Sequence, residues 1–222
     1  MSLVTGYSSL SRLTKWLVMI FVIESMVSLV VFVSDAYEIR LLESIMNYDY
    51  DYYTTLSLAE INDTRQSIIS TISFSVTIFS SVVFYYWFYR AYRNLPALGG
   101  RGLEFTAKWV IAYFFIPILA LWKPLKALEE IWKWSDTDPS HSAKSSIILL
   151  AWWIPSIIAN MLGFLIFRGY LRVETYEQLI NIDTQDMALQ ILIMVSNALF
   201  IYIAKEICGR QEMKSRNITT VS

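Results

Sequence analysis

The stretch Trp109-Val-Ile-Ala-Tyr-Phe-Phe-Ile-Pro-Ile-Leu-Ala-Leu-Trp-Lys-Pro124 decides how this chain is threaded through a bilayer. It is the third of five apolar stretches, the others being residues 16–33, 68–89, 146–167 and 187–204. Crossing the hydrocarbon core takes about 20 apolar residues at 1.5 Å rise each. Four stretches meet or approach that length. The third is short, carries Pro117 in its middle and ends at Pro124. A proline inside a helix removes a hydrogen bond and clashes with the preceding turn. Residues 109–122 are therefore expected to be a re-entrant or interfacial segment, with a fifth span as the rival.

Charge parity agrees. Lys and Arg collect in short cytoplasmic loops. Arg12 and Lys15 precede the first span, and Arg90, Arg93, Arg101 and Lys108 follow the second. Lys123, Lys126, Lys133 and Lys144 follow the third stretch, and Lys205, Arg210, Lys214 and Arg216 follow the last. Acidic residues dominate the other two loops, with Asp35, Glu38, Glu43, Asp49, Asp51, Glu60 and Asp63 in the first. If residues 109–122 return to the face they came from, every basic segment is cytoplasmic and both acidic loops are external. The expected fold is an all-α integral membrane protein of four transmembrane helices, a single domain over 1–222, with both termini cytoplasmic. The start resembles a signal peptide, but its apolar run is long and no small-x-small site follows, so it reads as a retained anchor.

The chain has 222 residues, is 55% hydrophobic and carries a net charge of −1. No basic face clusters, so nucleic acid is not an expected partner. One cysteine, Cys208, excludes an intrachain disulfide and cysteine-based metal centres. One histidine, His141, excludes bis-histidine haem and two-histidine zinc motifs. No phosphate-binding loop or nucleophile elbow is present. No cofactor, metal or catalytic residue is expected, and the chain reads as a non-enzyme.

Local signals fill in the rest. Pro124–Trp134 has Leu125, Leu128 and Trp132 on one face, with Lys126–Glu130 and Glu129–Lys133 as i,i+4 pairs. It is expected to be an amphipathic helix lying in the interface plane. Residues 135–145 read as a linker and 217–222 as a disordered tail. Asp35 with Glu38, and Thr175 with Gln178, read as capping boxes that start new helices.

Polar residues inside the spans are the candidate site. Glu24 stands near the middle of the first span with Ser28 one turn on. Such a carboxylate faces a bundle interior or a water-filled cavity. The hydroxyl-rich second span, including Ser73 and Thr77, reads as a central packing helix or a wall of an aqueous path. Asn160 follows Pro155 in the next span, and Gln190 and Asn197 share a face of the last. Glu24, Ser28, Ser73, Thr77, Asn160, Gln190 and Asn197 are expected to form one intramembrane polar cluster. Arg90, Arg93, Arg101, Lys108, Lys123 and Lys126 are expected to meet lipid headgroups beside the aromatic belt Phe84–Tyr89.

The pieces Trp87-Phe-Tyr-Arg-Ala-Tyr-Arg-Asn94, Leu98-Gly99, Phe115-Ile-Pro117, Leu121-Trp-Lys-Pro124, Trp152-Trp153, Asn160 and Gly163 occur in order. In them, over roughly Phe84 to Arg210, the chain resembles the bacterial membrane family catalogued as domain of unknown function 4328. The resemblance implies a bacterial inner membrane and no known activity. Members often carry Asn between the proline and the Leu-Trp-Lys-Pro; Ala120 stands there in this chain. The first expectation for function is a scaffold or regulatory subunit, acting with membrane lipids, a partner membrane protein or further copies of itself. The alternative is a small homo-oligomeric ion channel or transporter with Glu24 in its path.

Overall fold

The computed structural model describes residues 6–137 and 145–221. Its elements are α1 (Ser11–Met46), α2 (Tyr52–Arg93), α3 (Trp109–Ala112), α4 (Lys123–Ser135), α5 (Ser145–Tyr170) and α6 (Tyr176–Val221), with short 3₁₀ turns at Pro96–Leu98, Tyr113–Phe115 and Leu119–Leu121. No strand occurs among the described residues. Four helices, α1, α2, α5 and α6, are long and apolar enough to cross a membrane. Residues 109–122 form no such helix. They break into α3 and two 3₁₀ turns, with Ile116 extended just before Pro117, the conformation favoured for a residue preceding a proline.

The long helices outrun the bilayer. At 1.5 Å per residue, α1 with its 36 residues is about 54 Å long and α6 with 46 about 69 Å. The apolar stretches within them are long enough to cross a membrane, and the polar ends extend beyond those stretches. The Asp35–Glu38 signal does not start a helix: α1 runs through it to Met46. No Gly or Pro interrupts residues 7–46, and Ser34 and Asp35 are tolerated mid-helix. The true cap is Asp51, whose Oδ1 accepts from the Tyr53 and Thr54 amides at 3.0 and 3.2 Å and starts α2. The Thr175–Gln178 pair behaves as read: the Gln178 amide donates to Thr175 Oγ1 at 3.3 Å, and Gln178 Oε1 accepts from the Glu174 amide at 2.9 Å. The tail expected to be disordered continues α6 to Val221, since Asn217-Ile-Thr-Thr-Val221 holds no breaker. Pro139, His141 and Lys144 of the expected linker lie outside the described residues.

The chain divides into two compact units, and each of the four long helices contributes to both. The first unit holds residues up to Phe21, Phe79–Ile154 and Ala198 onward. Its core is aromatic. Phe200, fully buried, sits 4.9 Å from Phe84, 4.8 Å from Trp152 and 5.4 Å from Trp87. Trp153 Nε1 donates to the Leu121 carbonyl at 3.1 Å and so holds the end of the broken segment. The apolar face of α4 is covered by protein, with Ala127, Leu128 and Ile131 fully buried, so that face does not meet the interface as the amphipathic reading supposed. Glu130 ties the preceding loop: it accepts from Tyr92 OH at 2.5 Å and from the Glu104 amide at 2.9 Å.

A buried amide knot completes this unit. Asn94 Nδ2 donates to the Ser8 carbonyl and to Gln211 Oε1, both at 2.9 Å. Gln211 Nε2 donates to the Ala91 carbonyl at 3.1 Å and to Ser135 Oγ at 3.0 Å. Residues 8, 94, 135 and 211 are thereby brought together.

The second unit holds Val22–Ile78 and Pro155–Asn197. Here α2 is not the central packing helix: only 6% of its apolar window is buried. Its exposed hydroxyls are satisfied by their own helix, Thr71 Oγ1 and Ser75 Oγ donating to the Ser67 and Thr71 carbonyls at 2.8 Å. Back-bonding to the i−4 carbonyl removes the need for a partner across the helix.

Candidate functional site: an acidic cavity

The expected intramembrane cluster forms only in part. Asn197 Nδ2 donates to Glu24 Oε2 at 3.1 Å and approaches Ser25 Oγ at 3.4 Å. Glu24 and Ser28 are buried. Asn160 is not brought to them; it is exposed, and its Nδ2 donates to the Ser156 carbonyl of its own helix at 2.7 Å. Ser73, Thr77 and Gln190 belong instead to a cavity of about 670 Å³ in the second unit, of which Glu24 is not a wall.

That cavity is built from α1, α2, α5 and α6. Asp35 and Glu38 of α1 are three residues apart and so share a helix face, as do Asp183 and Asp186 of α6. Asp35, Glu38 and Asp186 line the cavity with Gln66 of α2 and Tyr170 of α5. Glu38 is held by amides: Asn62 Nδ2 donates to Oε1 at 2.8 Å, and Gln66 Nε2 donates to Oε2. Gln66 Oε1 in turn accepts from Ser34 Oγ at 2.9 Å. Arg65 is turned to Asn62 Oδ1 at 2.5 Å and to the Ser34 carbonyl at 3.3 Å, with its guanidinium 4.4 Å from the Tyr37 ring centroid. On the other side, Tyr170 OH donates to Asp183 Oδ1 at 2.8 Å and Gln190 Nε2 to Asp186 Oδ1 at 2.9 Å.

Among the described residues, two buried carboxylate oxygens have no hydrogen-bond partner: Oδ2 of Asp35, a residue 3% exposed, and Oδ2 of Asp183, fully buried. A buried acceptor left unmatched costs about 1–3 kcal/mol, more if charged, so each calls for an explanation, of which a bound water or ion is one. Both lie just outside the apolar stretches 16–33 and 187–204. Burial pushes the Asp35 carboxyl up to about 8, with the charges of Asp186 and Asp183 adding to it while Gln66 opposes. Burial also pushes Asp183 up to about 7, reinforced by the charge of Glu38. Asp186 and the Tyr170 phenol are raised chiefly by burial too. Among the described residues, no three Asp, Glu, His or Cys side chains converge closely enough to hold a metal ion.

The acids of this site were visible in sequence as an external excess, but they were assigned to caps and loops. The i,i+3 spacing repeated in Asp35–Glu38 and Asp183–Asp186 was the available signal.

The expected headgroup residues all fall in the first unit. Arg93, Arg101, Lys108 and Lys126 are exposed. Arg90 Nη1 donates to Tyr86 OH at 3.3 Å, and Lys123 pairs with Glu104 at 2.6 Å while lying 4.9 Å from the Phe105 ring centroid. Lys123 is thus already committed to protein partners.

No curated protein and no solved structure matches the chain. The family profile described as Domain of unknown function (DUF4328) matches residues 51–208, which takes in all of the α2, α5 and α6 walls of the cavity, and the chain therefore belongs to that family.

Proposed function

We propose that the chain is a non-enzymatic, multi-pass protein of a bacterial inner membrane that binds a cationic solute in this cavity and carries it. The observation that supports this most is the buried Asp35 Oδ2, unmatched within the protein and bordering a space of ligand size. Opposite charge from a solute would complete it. The test is calorimetry on the protein in lipid nanodiscs at pH 8.5, with a panel of inorganic and organic cations. At least one cation is expected to bind saturably, and Asp35→Asn is expected to weaken it at least tenfold, since truncating one partner of a desolvated charge pair costs on the order of 2–5 kcal/mol. Absence of binding by every cation overturns the reading.

A scaffold or regulatory role is the second reading. It is favoured by the buried Glu24–Asn197 pair, which lies outside the lining of the acidic cavity; lipids, a partner membrane protein or further copies would then be what the chain contacts.

The proposed threading keeps both termini cytoplasmic and lets residues 109–122 enter and leave one face. Support comes from the amide knot, which joins residues 8, 94, 135 and 211, all placed on the same side by the charge pattern. The loop from 94 to 135 then starts and ends on that side. Phe115, Ile118 and Leu121, 66%, 69% and 49% exposed, would face lipid. With Cys208 replaced by serine and a cysteine introduced at exposed Lys133, a membrane-impermeant maleimide is expected to label inverted vesicles and leave intact cells unlabelled. Labelling from outside would require redrawing the threading.

A further inference from the structure

The cavity carries its acids at one end only and its larger apolar side chains toward the other, and that asymmetry says more about its occupant than charge alone. Gln66 and Thr77 both line it and are 11 residues apart on α2, about 16 Å along the helix. Asp186 and Ile193 line it from α6, about 10 Å apart along that axis. The acids lie at the Gln66 and Asp186 end. The other end is walled by Val31, Phe74, Leu189 and Ile193, with Ser73, Thr77 and Gln190 between them. Gly163 of α5 widens it there; a Cβ added at Gly163 would meet Leu189 at 3.6 Å.

Size suits a molecule better than a bare ion. Small-molecule sites enclose about 300–1,000 Å³, whereas a water-sized species needs about 30 Å³. The space of about 670 Å³ would be left almost empty by an alkali or alkaline-earth ion. The carboxylates are also dispersed rather than converging on a point, which suits a large, weakly hydrated cationic head more than a dehydrated metal ion. We infer that the solute is an organic ammonium ion bearing an apolar body, its head among Asp35, Glu38 and Asp186 and its body against Phe74, Leu189 and Ile193.

This inference rests on the cation-binding reading above and names its substrate class. The same chemistry is offered by a free solute or by the ammonium headgroup of phosphatidylethanolamine, with its acyl chains as the body. The test compares benzyltrimethylammonium, tetramethylammonium, the uncharged isostere neopentylbenzene, and Na⁺, K⁺ and Ca²⁺ on the wild-type protein in phosphatidylglycerol nanodiscs. Benzyltrimethylammonium is expected to bind about ten- to a hundredfold more tightly than tetramethylammonium, the gain from burying a ring-sized apolar group, and neopentylbenzene not to bind detectably. Ser73→Phe, which fills the end of the cavity away from the acids, is expected to cancel that gain. Repeating the measurement with phosphatidylethanolamine assigns the source: competition marks the lipid, and unaltered affinity marks a free solute. Equal affinity for the two ammonium ions, or binding confined to inorganic ions, overturns this inference while leaving the cation reading in place. Binding of no cation overturns both.

Discussion

The folded protein is expected to lose stability as the pH rises from about 4 to about 8. The sign follows from the carboxyls at the cavity. Asp35 titrates near 3.8 in the unfolded chain and near about 8 when folded, and Asp183 near 3.8 and about 7. Between those limits the native state holds more protons than the unfolded chain, so stability falls with increasing pH. It is fully present below about pH 4 and is lost as the folded groups ionise. One proton corresponds to about 1.4 kcal/mol per pH unit at most, and the two acids share one environment, so their effects do not add. The total is a few kcal/mol, large against the net stability of a folded domain. Thermal unfolding in detergent at pH 5, 6.5 and 8 measures it. Asp35→Asn, which removes the larger shift, is expected to flatten the profile and raise the melting temperature at pH 8. A parent protein whose stability is flat or rises over that range would contradict the burial of these acids.

The second large effect is expected at Phe200. Its ring is wholly enclosed and meets Phe84, Trp87 and Trp152 within 5.4 Å, with Phe21 at 5.9 Å. Phe→Ala in an enclosed core costs about 3–5 kcal/mol in soluble proteins. Lipid tails are themselves apolar, so the transfer part of that cost shrinks in a bilayer and packing carries the remainder. Each lost aromatic pair contributes roughly 0.5–1.5 kcal/mol. Phe200→Ala is therefore expected to destabilise by about 3 kcal/mol, and Phe200→Leu by about half of that, read from denaturant titration in mixed micelles. An alanine variant as stable as the parent would mean that the aromatic cluster is not what holds the first unit together.

The long-range order of this molecule was legible where chemistry is additive along the chain. Length and hydropathy alone pick out four helices long enough to span, and the proline in the third stretch accounts for its failure to form a fifth. The mixed-charge run after Pro124 becomes α4, although its apolar face turned out to need protein rather than lipid. The cavity was less legible. Asp35 and Glu38 match a helix-start pattern because an aspartate serves equally as a cap and as a mid-helix residue facing a neighbour. Only the absence of a breaker in residues 7–46 distinguishes the two. Bringing Asp35 beside Asp186 requires α1 and α6 to face each other across some 150 residues of sequence, and no local spacing encodes that. Asn160 differs for the opposite reason: one turn past Ser156 it reads as a buried polar residue, yet its amide is content with its own helix.

The amide knot has a consequence for how the protein is made. Asn94 leaves the ribosome 117 residues before its partner Gln211. At 5–20 residues per second that is a wait of roughly 6–23 s. The early segments must be inserted and held by the translocation machinery with these amides still hydrated, and closure can come only when the final helix arrives. A chain stalled or truncated before Gln211 would present quality-control proteases with an open, wet seam where the finished protein has none.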